Sequence, residues 1–462
     1  MITPRVQPIN EPRWFEPHEL FFSLTDEKGV IRYGNRVFTR VSGYPEHDLV
    51  GKPHSLIRHP DVPRCVFRLL WDYLDAGKTI AAYVKNLAAD GRYYWVLAVV
   101  TPCRDGYLSV RLNPSTPYFE AVKAAYAETL KIESSVECID GKQAAIDRSL
   151  PHLARMLADH GFKSYDEFMR TALKAELEAR GELTVAGDPP VMSDAAGADR
   201  LVELHASLER LNEHLQGVFE SLGVFERLSS QLTTKQRAMG ELAPSLNILA
   251  LNAHIAASQL GEEGAVLSVV SKSLGERSKE ADRLIVRLME RMEPVCDAAR
   301  GVAFEVEVAQ IEAQVCEAFA RELLDDGETV SPGVTLSLDE LISELCERVR
   351  SVLRTLTQLR IDVESMVTAA NDLIGRVVQM KTAQLNGKID VASRSGAAGF
   401  NAIFEDIAAI IDEARTDCSD SIELLASTRD QLDDLLKLEG PLEAELREAR
   451  YETDAIVSVA GH

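Results

Sequence analysis

Between residues 21 and 113 apolar and polar positions alternate in short runs, and beyond residue 200 apolar positions recur three and four apart over long stretches. The first pattern belongs to strands, the second to helices that pack along a seam. Runs at 21–26 and 30–35 flank Asp26, Glu27, Lys28 and Gly29, which predicts strand, turn and strand. Runs at 79–87, 93–103 and 107–113 are separated by Asp90-Gly91 and Asp105-Gly106, dipeptides suited to hairpin turns. The pattern therefore predicts a five-stranded antiparallel sheet. Between the two strand groups Pro63 opens a helix whose Phe67, Leu70, Trp71 and Leu74 recur at i, i+3, i+4 and i+7, and Gly77 closes it. A small sheet crossed on one face by helices leaves a pocket between them.

From Pro117 to about Arg180 the chain is helix-forming, with breaks predicted near Asp140-Gly141, at Pro151 and near His160-Gly161. Gly187, Asp188, Pro189 and Pro190 end this connector. Leu201, Leu204, Leu208, Leu211, Leu215, Val218, Leu222 and Phe225 then open a heptad seam that continues through Leu232, Met239, Ala243 and Leu246 to Ala250, Ala253 and Ala257. Ser229 and Gln236 interrupt it, while His205 and His214 fall outside it and are expected in solvent. Large seam residues giving way to Ala bring helices closer, and Gly261, Glu262, Glu263 and Gly264 form a helix-breaking turn. A long helix that narrows and reverses is a hairpin tip.

Composition separates the same two regions. All three Trp (Trp14, Trp71, Trp95) fall in the first hundred of 462 residues. Residues 1–113 carry 15 Lys and Arg against 12 Asp and Glu, a net of +3, so the whole-chain −23 leaves −26 on the remainder. That acidic remainder repels nucleic acid and anionic lipid, and no nucleic-acid partner is expected. No run approaches the ~18 apolar residues of a membrane span, and the opening residues are no signal peptide, so a cytoplasmic protein is expected. Seven scattered Cys without a Cys-x-x-Cys pair fit buried thiols in a reducing compartment, with no metal site.

The chemistry concentrates between His54 and Asn86. Arg58 and His59 are costly to bury unpaired, and Pro60 keeps His59 out of helical backbone, so a loop here can aim side chains inward. Phe67 and Trp71 alone read as ordinary core; with the cations and an amide beside them they can grip a flat cofactor. Ser42, Gly43 and Tyr44; Gly51, Lys52, Pro53 and His54; Arg58, His59, Pro60 and Asp61; Trp71; Val84, Lys85 and Asn86; and Tyr94, Trp95 and Val96 follow one another in an order and spacing that resembles the PAS domain of bacterial aerotaxis receptors, over about residues 18–113. The resemblance implies FAD, with Asn35, Arg58, His59, Asp61, Phe67 and Asn86 forming the flavin site and Trp71 beside it. An aromatic ring can stack on isoalloxazine, Asn86 can offer donor and acceptor to the ring edge, Arg58 can pair with a phosphate oxygen, and Asp61 can hold Arg58 or His59. Arg68, Leu69 and Leu70 stand where that family often has an acidic residue. Haem with His54 or His59 as axial ligand, and a PAS domain with no cofactor used for dimer contacts, are the alternatives.

Farther along, Asn247, Leu251, Asn252, Ile255, Gly261 and Glu262, followed by Val269-Val270, resemble the cytoplasmic signalling hairpin of methyl-accepting chemotaxis receptors over about residues 240–275. The resemblance makes these residues the signalling tip. Ala256 and Gln259 replace the Glu and Arg with which that family builds receptor trimers and contacts the chemotaxis histidine kinase; Ala265 replaces an Arg, and Pro244 should kink the approaching helix. Each lost interface contact removes ~1–3 kcal/mol, which weakens the case for coupling to the kinase and its coupling protein. Leu385, Asn386, Ile389, Ala392, Ser393, Gly396 and Gly399 echo Leu251, Asn252, Ile255, Ala257, Ser258, Gly261 and Gly264 with one insertion, about 135 residues on, and Ser331, Pro332 and Gly333 mark the joint. A duplicated hairpin would let one chain supply an antiparallel four-helix bundle in place of self-association.

Gly-x-Gly-x-x-Gly, a Walker-type loop, His-Glu-x-x-His and Gly-x-Ser-x-Gly are all missing, so no enzyme is expected. The chain is read as α+β: a tail over 1–17, a PAS sensor over 18–115, a helical connector over 116–195, a receptor-like hairpin over 196–330 and a second hairpin over 331–462. The expected function is redox or oxygen sensing for energy taxis, with signal passed from a flavoprotein PAS domain through a coiled coil, at or near chemoreceptor arrays. The alternatives are a scaffold with an empty PAS domain and a haem sensor with a different output.

Overall fold

Strand β1 (Phe21–Thr25) is buried on both faces, as its nearly unbroken apolar run requires. It pairs antiparallel with β2 (Ile31–Gly34) and with β5 (Gly106–Leu112), which pairs with β4 (Tyr93–Cys103), which pairs with β3 (Ile80–Leu87). The five-stranded sheet has the order β2-β1-β5-β4-β3. Gly106 is obligatory at its turn: φ is +149°, and a Cβ would lie 1.9 Å from the Thr25 carbonyl oxygen.

The computed structural model describes residues 6–181, 198–259, 261–326, 332–393 and 398–460. One face of the sheet is crossed by α1 (Arg36–Ser42), α2 (Glu46–Leu49), a 3-10 turn (His54–Ile57) and α3 (Arg64–Asp75). The other face receives α4 (Pro117–Asp159) and α5 (Tyr165–Gly181). Tyr126 of α4 donates its hydroxyl to the Tyr83 carbonyl (2.9 Å), and Tyr165 of α5 donates to that of Ala81 (2.9 Å). Gly141 breaks α4 with φ 85° and ψ 177°, and Gly161 follows its end, both near predicted breaks. Pro151 departs from expectation, because the helix runs through it. Pro151 and Asp147, whose carbonyl loses its amide partner, are both exposed, so water can replace the missing bond.

The long helices are α6 (Ala198–Gln259), α7 (Ala265–Asp326), α8 (Pro332–Ala392), α9 (Ala398–Leu436) and α10 (Glu439–Ala460). Two compact units result. The first holds Met1–Gln216, Phe304–Arg350 and Gly440–His462; the second holds Gly217–Ala303 and Ser351–Glu439.

In the first unit the α6 seam from Leu201 to Leu215 is buried, Ser207 and Arg210 bond to Glu445 of α10, and Gln216 accepts from Gln310 of α7. His205 corrects the expectation of a solvated position. It is buried, with Nε2 3.1 Å from the Arg321 guanidinium, because neighbouring helices cover more of α6 than a two-stranded seam would. The sheet's outer face meets α7 here: Phe22 and Tyr33 each lie 5.3 Å from the Phe319 ring.

In the second unit, Leu246, Ala250, Ala257 and Leu267 share one core with Leu373, Met380, Phe404 and Ile411, so α6, α7, α8 and α9 pack together. Small residues permit the approach; a Cβ on Gly387 would lie 2.4 Å from the Phe404 ring. Gly261, φ +58°, starts the 3-10 turn Gly261–Gly264 between α6 and α7, while α6 continues across Pro244. The side chains of Phe225, Ser229, Leu232, Gln236, Met239, Ala243 and Glu263, and residues 187–190, 331 and 396, lie outside the described residues.

Candidate functional site

A cavity of about 280 Å³ lies between α3 and the inner face of the sheet. Phe67, Leu70, Trp71 and Leu74, the periodic face of α3, form one wall; Val84, Asn86, Val96, Ala98, Val100, Ser109 and Arg111, the inward positions of β3, β4 and β5, form the other. Trp71 is 37% exposed at the rim, edge-on to Tyr107 (5.5 Å). Gly29, φ +72°, passes beneath it, where a Cβ would come within 3.6 Å of the indole.

Backbone pairing aims the loop side chains. Arg58 bridges to Asn86 beside β3, and the His59 amide reaches the Lys85 carbonyl (3.4 Å). Arg58 therefore turns toward the cavity, its guanidinium 3.4 Å above the Phe67 ring. Asn86 is 3% exposed and lines the cavity, and its side-chain amide has no hydrogen-bond partner among the described residues.

Four of the seven expected residues, Arg58, Phe67, Trp71 and Asn86, thus converge on the cavity, and three do not line it. Asn35 caps α1, its side-chain oxygen accepting from the Phe38 and Phe22 amides (3.2 Å each). His59 is buried with Nδ1 accepting from the Asp61 amide (3.1 Å). Burial, reinforced by Lys85, pushes its pKa down to about 4, against Asp61. Asp61 accepts from Lys85 Nζ (2.7 Å), which sits over Tyr93. These three hold the frame around the cavity.

Arg111 was not foreseen. It is 1% exposed, lines the cavity, and donates to Ser23 Oγ (2.9 Å), the Ser109 carbonyl (3.4 Å) and His54 Nε2. No carboxylate pairs with it among the described residues. Burial pulls its pKa down to about 10, which leaves it charged at neutral pH. His54 lies against Phe38, and burial together with Arg111 pushes it down to about 3, so its ring is neutral and accepts. The available signal was a cation at an inward position of an apolar strand.

Two further carboxylates tie the cavity walls to the connector. Glu133 of α4 accepts from the Arg64 amide (2.8 Å), the Cys65 amide (3.0 Å) and Ser149 Oγ (2.9 Å), and so caps α3, whose Pro63 offers no side-chain cap. Glu176 of α5 accepts from Tyr83 of β3 (2.9 Å) and from the Ser115 and Thr116 amides at the start of α4 (2.7 and 3.2 Å).

At the expected tip Leu251, Asn252, Ile255, Gly261 and Glu262 are exposed and Asn247 is half-buried, while Ala250, Ala253 and Ala257 face the core. Leu385 and Ile389, the counterparts of Leu251 and Ile255 in the repeat, are exposed as well.

Residues 31–109 match the PAS fold family, and the sheet with its crossing helices is a PAS domain. The chain is 36% identical over 109 residues to the aerotaxis receptor of Escherichia coli (strain K12), covering 22% of each protein. It is 21% identical over 413 residues to the biofilm dispersion protein BdlA of Pseudomonas aeruginosa, covering 72% of this chain and 96% of BdlA. The methyl-accepting chemotaxis protein McpS of Pseudomonas putida is 29% identical over 116 residues, 23% of this chain and 18% of McpS. The matches thus span about a fifth of the aerotaxis receptor and of McpS, and nearly all of BdlA. Among solved structures, a light-oxygen-voltage domain studied with a flavin analogue is 20% identical at a TM-score of 0.21, covering 24% of this chain and 86% of that one.

Proposed function

We propose that this PAS-bearing chain is a cytoplasmic redox or oxygen sensor that holds FAD and signals through its receptor-like helices in chemotaxis. The observation that carries the proposal is the cavity itself. A largely apolar cavity between α3 and the sheet is lined by two buried polar groups, Asn86 and Arg111, that have bonding capacity left for a ligand. Trp71 offers a ring at the rim, Phe67 carries the Arg58 guanidinium, Asn86 would address the edge of an isoalloxazine, and Arg58 would pair with a phosphate oxygen. FAD would supply a ring whose hydrogen-bonding edge changes with its oxidation state.

The geometry favours flavin over haem. His54 lines the cavity but its Nε2 is engaged by Arg111, and His59 does not line the cavity. The way out is short. Ser23 bonds Arg111 on the cavity side of β1, while its neighbour Phe22 packs on Phe319 of α7 on the other. A shift at Arg111 would thereby reach the helices and bias two packings of them. No helix among the described residues is long and apolar enough to cross a membrane. With Ala256 and Gln259 at the tip, coupling to the chemotaxis kinase would be weak, and the second hairpin would take the place of a partner chain.

The test is an absorption spectrum of the purified chain after loading with FAD and removal of excess. A retained flavin band is expected, with occupancy reduced in Asn86→Ala and Arg58→Ala while the far-UV spectrum is kept. A Soret band would replace FAD with haem, and a colourless folded protein would favour the scaffold.

A further inference from the structure

We infer that Arg111 is a counter-charge held in reserve for the ligand: the cavity favours a ring whose inserted edge gains negative charge, and so stabilises the reduced anionic form of a bound flavin over the oxidised neutral form. The inference rests on the flavin proposal and adds to it the residue that sets the ring's electron affinity.

The argument starts from what surrounds the guanidinium. Arg111 has five N–H groups, and its acceptors are a serine hydroxyl, a backbone carbonyl and a neutral imidazole. All three are uncharged. The rings of Phe38 and Phe21, with centroids 4.9 and 5.5 Å away, offer a weak attraction for a cation and no compensating charge. A buried charge is ordinarily paired, because removing it from water is expensive and an ion partner offsets that cost. Here the pairing is left open at a side chain that lines a ligand-sized cavity. Of the other cations that line the cavity, Lys28 is exposed to solvent and Arg58 sits over the Phe67 ring. In so poorly solvated a place, a fixed positive charge stabilises any negative charge brought near it.

The redox consequence follows from the balance. Two electrons and one proton convert oxidised isoalloxazine into a monoanion, so net negative charge appears on the ring. Its attraction to Arg111 shifts the equilibrium toward reduction and raises the midpoint potential.

The experiment is a spectroscopic redox titration of the full chain at saturating FAD, with dithionite as electron donor. Wild type is compared with Arg111→Gln, Arg111→Lys and Ser23→Asp. The last keeps the arginine and supplies the missing carboxylate at the position of the 2.9 Å bond, so it decides the matter if Arg111→Gln fails to fold. Arg111→Gln and Ser23→Asp should each lower the reduction equilibrium constant at least tenfold, about 30 mV for a two-electron couple. Arg111→Lys, which keeps the charge, should fall less. Potentials unchanged within about twofold in that constant, in a chain that retains FAD, overturn the inference and leave the flavin proposal standing. A wild-type chain that does not retain FAD overturns both.

Discussion

Two arginines are buried in the first unit and treated in opposite ways. Arg348 of α8 donates to Glu312 (2.8 Å) and to Glu305, with Glu344 at 3.7 Å. Burial works against its charge, but Glu312 and Glu305 outweigh that and hold it well above the ordinary range. Arg111 has only neutral acceptors, and burial pulls it down. The same residue type is a structural tie where the protein supplies the counter-ion, and a candidate ligand contact where it does not.

The contrast can be broken at several points. The largest effect is expected from Arg348→Met, which leaves Glu305, Glu312 and Glu344 together without their cation. Denaturant unfolding followed by circular dichroism should show a loss of about 3–5 kcal/mol. An unchanged midpoint would mean that the cage is not a tie.

Next comes the pH dependence of that cage. Burial, then Glu312, pushes the Glu344 carboxyl up to about 7 from an ordinary 4.5. Between those values the native state keeps a proton that the unfolded chain releases, so stability from this group falls as pH rises. Glu344→Gln should flatten the slope between pH 5 and 7 by an amount on the order of 1–3 kcal/mol.

Asn35 and Asn86 give a smaller version of the comparison. Asn35→Ala removes the cap of α1 and the bond to the Phe22 amide, costing about 1–2 kcal/mol while FAD binding to the folded fraction persists. Asn86→Ala should do the reverse, sparing stability and weakening FAD. Equal behaviour of the two in both assays would erase the distinction between frame and cavity.

Much of this architecture was legible in the chain. Short apolar-rich runs between 21 and 113 gave the strands, and Phe67, Leu70, Trp71 and Leu74 gave the cavity-facing side of α3 because one helical face does one job. The candidate cavity was legible in part, since side-chain direction in a loop depends on pairing that lies far away in sequence. Arg58 faces the cavity and His59 does not, because the loop is pinned against Asn86 and Lys85. Arg111 was hidden for a related reason: a cation at an inward position of an apolar strand becomes a signal only once the strand's inward face is known and its neighbours prove to be Ser23 and His54 rather than water. His205 needed helix α7 in place before its burial made sense, and Pro151 is tolerated where it and Asp147 are exposed to water.

The most direct measurement sets Arg111→Met beside Arg348→Met in the full chain, with thermal unfolding followed with and without FAD. Removing Arg111 orphans no carboxylate, so its FAD-free midpoint should stay near that of wild type or rise, by no more than about 1 kcal/mol in stability, while the upward shift on adding FAD shrinks. A FAD-free midpoint that falls as far as that of Arg348→Met, with the FAD-induced shift intact, would contradict the claim that the protein leaves Arg111 for its ligand.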